Sequence, residues 1–138
     1  MAELVAAGRV RAIGLSEVDV AQLEVAQAVH PVATVQSEFS LWNRGPLADV
    51  LPWTEAHGAG FIPYAPLGRG FLTGTLRPGM FEKRDFRAHN PRFTEEAMAA
   101  NQAIVDTVAA VAGRHATTPA RVALAWLLAQ GARIVPIP

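Results

Sequence analysis

Short apolar runs alternate with amphipathic stretches along this chain. Val10-Arg11-Ala12-Ile13-Gly14-Leu15 reads as a short buried strand. Ser16, Glu17 and Asp19 follow it as a turn and helix N-cap, and Val20, Leu23, Ala26, Gln27 and Val29 then recur at helical spacing until Pro31. Val32-Ala33-Thr34-Val35 is a second strand, finishing at Gln36. A polar stretch from Ser37 to Arg44 precedes Gly45-Pro46, which is expected to open a helix with Leu47, Val50, Leu51 and Ala56 on its apolar side. Pro52 falls inside that pattern, where it can break the helix, and Gly58 suits the position after its end. Gly60-Phe61-Ile62-Pro63-Tyr64 is a third strand.

The next segment, Ala65 to Pro91, is rich in glycine and proline and reads as a long irregular loop, of a length that is usually functional or disordered. Thr94-Glu95-Glu96 starts a long helix bearing Met98, Ile104, Val105, Val108 and Val111. Thr118-Pro119 caps another, with Val122, Leu124, Trp126, Leu127 and Leu128, and Gly131 is expected to close it. Ile134 to Pro138 is a fourth strand, and Ala2 to Val5 reads as helical. The order is β-α-β-α-β-loop-α-α-β in one unit, 1–138. Strands this apolar are expected to be covered on both faces in a parallel sheet.

Composition narrows the function classes. Hydrophobic residues make up 51% and charged residues 17%, more apolar side chain than a small domain buries easily and too much for a disordered chain. Twelve basic residues balance twelve acidic ones, so there is no electrostatic ground for nucleic acid or an anionic membrane as partner. With no cysteine, disulfides and thiolate metal sites are excluded. No apolar run reaches the roughly 18 residues of a membrane span, and the first residues lack an apolar leader core, so a cytoplasmic location is expected.

Parallel βα folds place ligands at the C-terminal strand ends. Those ends carry Ser16 and Glu17, Gln36 and Tyr64. A hydroxyl and an amide suit a planar polar group, and a ring can stack on a heterocycle, although strand-end polar groups also serve as plain caps. Leu67-Gly68-Arg69-Gly70 follows the third strand, and glycine N–H groups there can approach an anion, with Arg69 adding charge. The spacing is not that of a dinucleotide or Walker loop. His30, His57, His89 and His115 are scattered without metal-ligand spacing, so no metal site is expected. Trp42 and Trp53 can line a pocket, and Trp126 reads as core.

Four segments together resemble the aldo-keto reductase family: Val10-Arg11-Ala12-Ile13-Gly14-Leu15-Ser16, Val35-Gln36-Ser37-Glu38-Phe39-Ser40-Leu41, Phe61-Ile62-Pro63-Tyr64-Ala65-Pro66-Leu67-Gly68-Arg69-Gly70, and Thr118-Pro119-Ala120-Arg121-Val122-Ala123-Leu124-Ala125-Trp126-Leu127-Leu128. The resemblance runs over nearly the whole chain. It implies a partial TIM-type (β/α)8 barrel, the C-terminal half with strands five to eight, as about four parallel strands with flanking helices. It implies reduction of aldehydes and ketones with hydride from NADP(H). Ser16 and Gln36 would bind the nicotinamide carboxamide and Tyr64 would stack on its ring. Pro66, Leu67, Gly68 and Arg69 would form the cofactor turn, the last three along the pyrophosphate, and Arg87 is the candidate basic clasp. Members often carry Ser-Asn where this chain has Ser16-Glu17, which weakens a cofactor role for residue 17.

The family's catalytic Asp, Tyr, Lys and His have no matching segment here, so no catalytic residue is assigned. The chain alone is expected to be inactive and to bind NADP(H) weakly or not at all, as a truncated product or partial sequence whose intact parent takes a small carbonyl substrate. A non-catalytic half-barrel module that self-associates through open strand edges is the alternative. An open flavodoxin-like nucleotide binder is disfavoured, because Ser16-Glu17-Val18-Asp19 stands where its phosphate loop would be.

Overall fold

A computed structural model describes all residues, 1–138. Helix α1 (Ala2–Ala6) leads to strand β1 (Ile13–Ser16), three residues later than the apolar run suggests. Helix α2 (Val20–Val29) begins with a reciprocal cap: Asp19 accepts the Gln22 N–H at 2.8 Å, and the Gln22 side chain accepts the Asp19 N–H at 3.0 Å. Strand β2 (Val32–Glu38) runs two residues beyond Gln36, so Ser37 and Glu38 are strand rather than loop. Gly45–Leu47 forms only a 3₁₀ turn, and helix α3 (Val50–His57) starts after Asp49, whose carboxylate takes the Val50 N–H at 2.6 Å. Pro52 is the third helical residue, where no N–H is needed, and the helix passes through it unbroken. Gly58 ends α3 at φ 68°, and strand β3 (Gly60–Tyr64) follows.

The long helix expected from Thr94 is two: α4 (Glu95–Ala100) and α5 (Gln102–Arg114). Asn101 breaks it at φ −101°, ψ 0°, with its side-chain amide donating back to the Ala97 carbonyl at 2.7 Å. Helix α6 (Pro119–Leu128) carries the Thr118 cap and N1 proline and is closed by Ala129. Gly131 is not its left-handed stop. Its glycine is explained by crowding, since a Cβ there would stand 2.7 Å from Glu55 and 3.6 Å from Ile134.

The strands are parallel and lie in sequence order β1-β2-β3. The terminal segment adds to β3 through parallel bridges Phe61–Ile134 and Tyr64–Ile137, with Val135 and Ile137 donating to Phe61 and Pro63 carbonyls at 2.9 and 3.0 Å. It does not become a full strand. Pro63 lacks the N–H that would complete the ladder between those two bonds. A sequential order with no reversal is that of a barrel arc, not of a doubly wound sheet, which reverses at a switch point.

One face of the sheet is covered. The row Leu15–Val35–Phe61–Ile134 crosses it and packs with Leu23 of α2, Leu51 and Trp53 of α3 and Leu127 of α6. Phe39, fully buried, meets Phe61 edge-on at 5.7 Å and Trp126 at 5.3 Å. The opposite face is open and is not apolar, contrary to the expectation of strands apolar on both sides. Its first row is Gly14–Thr34–Gly60 and its second Ser16–Gln36–Ile62, followed by the pair Glu38–Tyr64. Thr34 straddles the two glycines: a Cβ at Gly14 would stand 2.4 Å from its Oγ1, and one at Gly60 3.4 Å from its Cγ2.

The segment from Ala65 to Pro91 is irregular but anchored. Its 3₁₀ turns are Gly68–Thr73 and Phe86–His89, and a third, Pro91–Phe93, follows directly. Phe71, Leu72 and Phe93 form a second core with Met98, Val105 and Ala123, and Trp42 packs 4.3 Å from Phe71. No helix is long and apolar enough to cross a membrane.

Candidate functional site at the strand ends

The C-terminal ends of the three strands form one rim. Ser16 is the register partner of Gln36, and Glu38 that of Tyr64. Gln36 and Glu38 are two apart on β2, so Ser16, Gln36, Glu38 and Tyr64 share the open face. The structure thus brings together the three strand-end residues chosen from sequence. Hydrogen bonds at the rim engage Glu17, Glu38, Arg69 and Arg92 and leave the Ser16 hydroxyl and Gln36 amide unengaged. That pair of donors and acceptors beside an aromatic ring fits the edge of a planar amide-bearing heterocycle.

Glu38 is the residue that sequence reading left unused. Its carboxylate, only 11% exposed, takes the Arg69 guanidinium at 2.9 Å on one oxygen and Arg92 on the other. The two arginines lie 31 and 54 residues away, so the pairs staple the long loop to the end of β2. A signal for Glu38 was present: it sits two positions past Gln36, on the same face, once β2 is extended. Nothing local in the sequence pointed to Arg92, which also stacks 5.5 Å over Trp42.

Glu17 is the other unassigned participant. Its backbone is left-handed at φ 53°, as are Ala65 at 47° and Arg69 at 54°. Each costs roughly 1–2 kcal/mol for a residue with a Cβ. Three of the four such residues of the chain therefore lie where β1 and β3 end or in the turn after β3. Strained backbone gathered at one rim marks a place where geometry is held by its surroundings.

The turn after β3 differs from a simple anion cradle. Gly68 at φ 58° lies so near Trp42 that a Cβ would meet its ring at 3.0 Å. The Gly68 and Gly70 N–H groups donate inward to the Ala65 and Leu67 carbonyls at 2.9 and 3.1 Å, so neither is turned to a ligand. Pro66 is fully buried beneath the turn and Leu67 half-buried. Arg87 is placed close to Arg69 but is occupied. It grips Asp85 through Nε and Nη2, at 3.0 and 2.7 Å, donates to the Arg69 carbonyl at 3.0 Å and lies 4.8 Å over the Phe81 ring. That side-chain pairing lowers the Asp85 pKa and raises that of Arg87.

Tyr64 is the only tyrosine. Burial first, then the charges of Glu17 and Glu38, raise its phenol above 10, with hydrogen bonding to Glu17 adding and Arg69 opposing. The ring is therefore uncharged at neutral pH. The tryptophans serve packing: Trp53 is buried, stacks 4.0 Å on His57 and donates to Glu24 at 2.6 Å, and Trp42 and Trp126 join the two cores.

Known proteins share this fold. The chain is 41% identical over 140 residues to probable aldo-keto reductase 1 of Glycine max, covering 99% of this chain and 39% of that one. The structure of the glycerol dehydrogenase from Gluconobacter oxydans superposes with a TM-score of 0.89 at 30% identity, over 98% of this chain and 41% of that one. An aldo/keto reductase from Klebsiella pneumoniae, solved in complex with NADP and acetate, matches at a TM-score of 0.67 and 26% identity, over 100% and 41%. The chain thus spans about two fifths of the length of these relatives. The model of the aldo/keto reductase family matches residues 1–138, and the barrel arc with its strand-end rim belongs to a member of that family of oxidoreductases.

Proposed function

We propose that this chain supplies the nicotinamide-binding rim of an NADP(H)-dependent carbonyl reductase, and not its acid. The placement of Ser16, Gln36 and Tyr64 on one open face at the strand ends, the first two as register partners and Tyr64 one row beyond, carries the reading. Ser16 and Gln36 hold the carboxamide by hydroxyl and amide. Tyr64 supplies a neutral stacking surface. Pro66 and Leu67 shape the turn, and Gly68 and Arg69 follow the pyrophosphate. Arg87 acts through Arg69, whose carbonyl it holds, more than by direct contact. When bound, a reduced nicotinamide supplies the hydride that converts an aldehyde or ketone to an alcohol.

A proton must accompany that hydride. Tyr64 is committed to the stacking position, its pKa is moved away from neutrality, and the chain has no second tyrosine. Turnover therefore requires groups from the remainder of a full-length barrel, of which this chain spans about two fifths. NADPH titration followed by NMR tests the rim. We expect a weak complex, with Kd of about 1 mM or above, and shift changes centred on Gln36 and Tyr64. Changes centred elsewhere, or none at saturating concentration, refute the reading, and carbonyl reduction by the chain alone refutes the missing acid.

Self-association is the second reading. A groove of about 620 Å³ runs between α1, β1 and α2, with Val25 and Val29 70% and 76% exposed beside it. The free side of β1 is the better pairing edge. Along the terminal segment, Pro136 and Pro138 remove donors from the side facing away from β3. Sedimentation equilibrium that shows only monomer at high concentration eliminates this reading.

A further inference from the structure

We propose that Glu17 is a positioning residue of the rim: it locks the ends of β1 and β2 together with its side chain and so sets a negative charge beside Tyr64. The inference rests on the rim being a cofactor site, but its observations are independent of that reading. In a parallel ladder a bonded residue donates its N–H to one residue of the neighbouring strand and accepts, at its carbonyl, the N–H two residues farther along that strand. The Glu17 N–H makes one such rung, donating to the Gln36 carbonyl at 2.9 Å. The following rung would join the Glu38 N–H to the Glu17 carbonyl. The left-handed turn at Glu17 carries that carbonyl away, and the carboxylate oxygen Oε1 takes its place, accepting the Glu38 N–H at 2.8 Å. The side chain extends the ladder by one rung where the backbone cannot.

This rung fixes what lies on either side. Glu38 is the register partner of Tyr64 and the anchor of Arg69 and Arg92, so its backbone position governs both the ring and the loop. Glu17 Oε1 sits on the Glu38 N–H, and Glu38 is the register partner of Tyr64, so the carboxylate lies at the tyrosine's end of the sheet; after burial its charge and that of Glu38 raise the Tyr64 pKa, with Arg69 opposing. Glu38 is paired with two arginines, whereas Glu17 has no cationic partner within ion-pair distance. The uncompensated negative charge at the rim is thus that of Glu17.

The experiment uses the whole chain and no cofactor. Because Tyr64 is the sole tyrosine, tyrosinate absorbance reads its titration directly. Glu17→Gln keeps an acceptor for the Glu38 N–H but removes the charge, and is expected to lower the Tyr64 pKa while leaving Glu38 amide exchange within about threefold of wild type. Glu17→Ala removes both, and is expected to lower the Tyr64 pKa and speed Glu38 amide exchange at least tenfold. An unmoved Tyr64 titration in Glu17→Gln overturns the electrostatic role. Unchanged Glu38 exchange in Glu17→Ala overturns the locking role. If Glu17→Ala does not fold, the isosteric variant alone still decides the first point, and rescue of the fold by Glu17→Gln supports the second. NADPH titration of the unmodified chain tests the cofactor reading separately, so either idea can fail without the other.

Discussion

Replacing Glu38 by alanine should release the long loop from the strand ends. The carboxylate makes two charge-assisted bonds, to Arg69 and Arg92, whose side chains are 25% and 40% exposed. Such bonds contribute about 1.5–3 kcal/mol when buried, and exposed ion pairs about 0–1 kcal/mol. Taking about 1.5 for the more buried Arg69 pair and about 0.5 for Arg92 gives roughly 2 kcal/mol of loop anchoring. The loss is local, because Phe71, Leu72 and Phe93 remain packed in their own core. Native-state hydrogen exchange measures it. The Gly68 and Gly70 amides, which flank Arg69 and donate to the Ala65 and Leu67 carbonyls, should exchange about thirtyfold faster, the equivalent of 2 kcal/mol at about 1.4 kcal/mol per decade. Glu38→Gln, which keeps one carbonyl acceptor without charge, should lie between. Exchange within threefold of wild type in Glu38→Ala would refute the staple and leave the aromatic core as the sole anchor.

Three further outcomes follow from the packing and the titration. Gly14→Ala should destabilise the chain by about 1–3 kcal/mol through overpacking on Thr34; in a Thr34→Ala background urea unfolding should show most of that loss recovered, and no recovery would disprove the contact. Phe39→Ala, which empties a fully buried site between Phe61 and Trp126, should cost about 3–5 kcal/mol, and a loss under 1 kcal/mol in the same assay would show that this ring is not a main support of the core beneath the sheet. The Tyr64 phenol has a raised pKa in the folded state, so the folded chain holds this proton more tightly than the unfolded one. Its stabilising contribution is complete below pH 10 and declines as pH rises through the folded value. Urea midpoints should fall across that range in the native chain and less in Tyr64→Phe; identical slopes would remove the shift.

Much of the architecture was legible in local sequence. Asp19 with Gln22, Thr118 with Pro119, and Gly58 mark helix boundaries within three or four residues of the groups they satisfy, so short-range chemistry suffices. The apolar runs placed β1, β2 and β3, and the strand-end positions of Ser16, Gln36 and Tyr64 followed from the direction of a parallel chain. Tertiary structure decided the rest. Glu38 acquired its meaning from arginines 31 and 54 residues away, a distance no periodicity reports. Arg87 looked free in sequence and is taken up by Asp85 and a backbone carbonyl. Glu17 reads as a turn residue, yet its role depends on the ladder of a neighbouring strand. The open face proved polar because burial, not composition, sorts side chains between two faces: helices cover one, while Thr34, Gln36 and Glu38 line the other. Propensity and capping act along the chain and can be read from it, whereas register, charge pairing and left-handed strain arise only when distant segments meet.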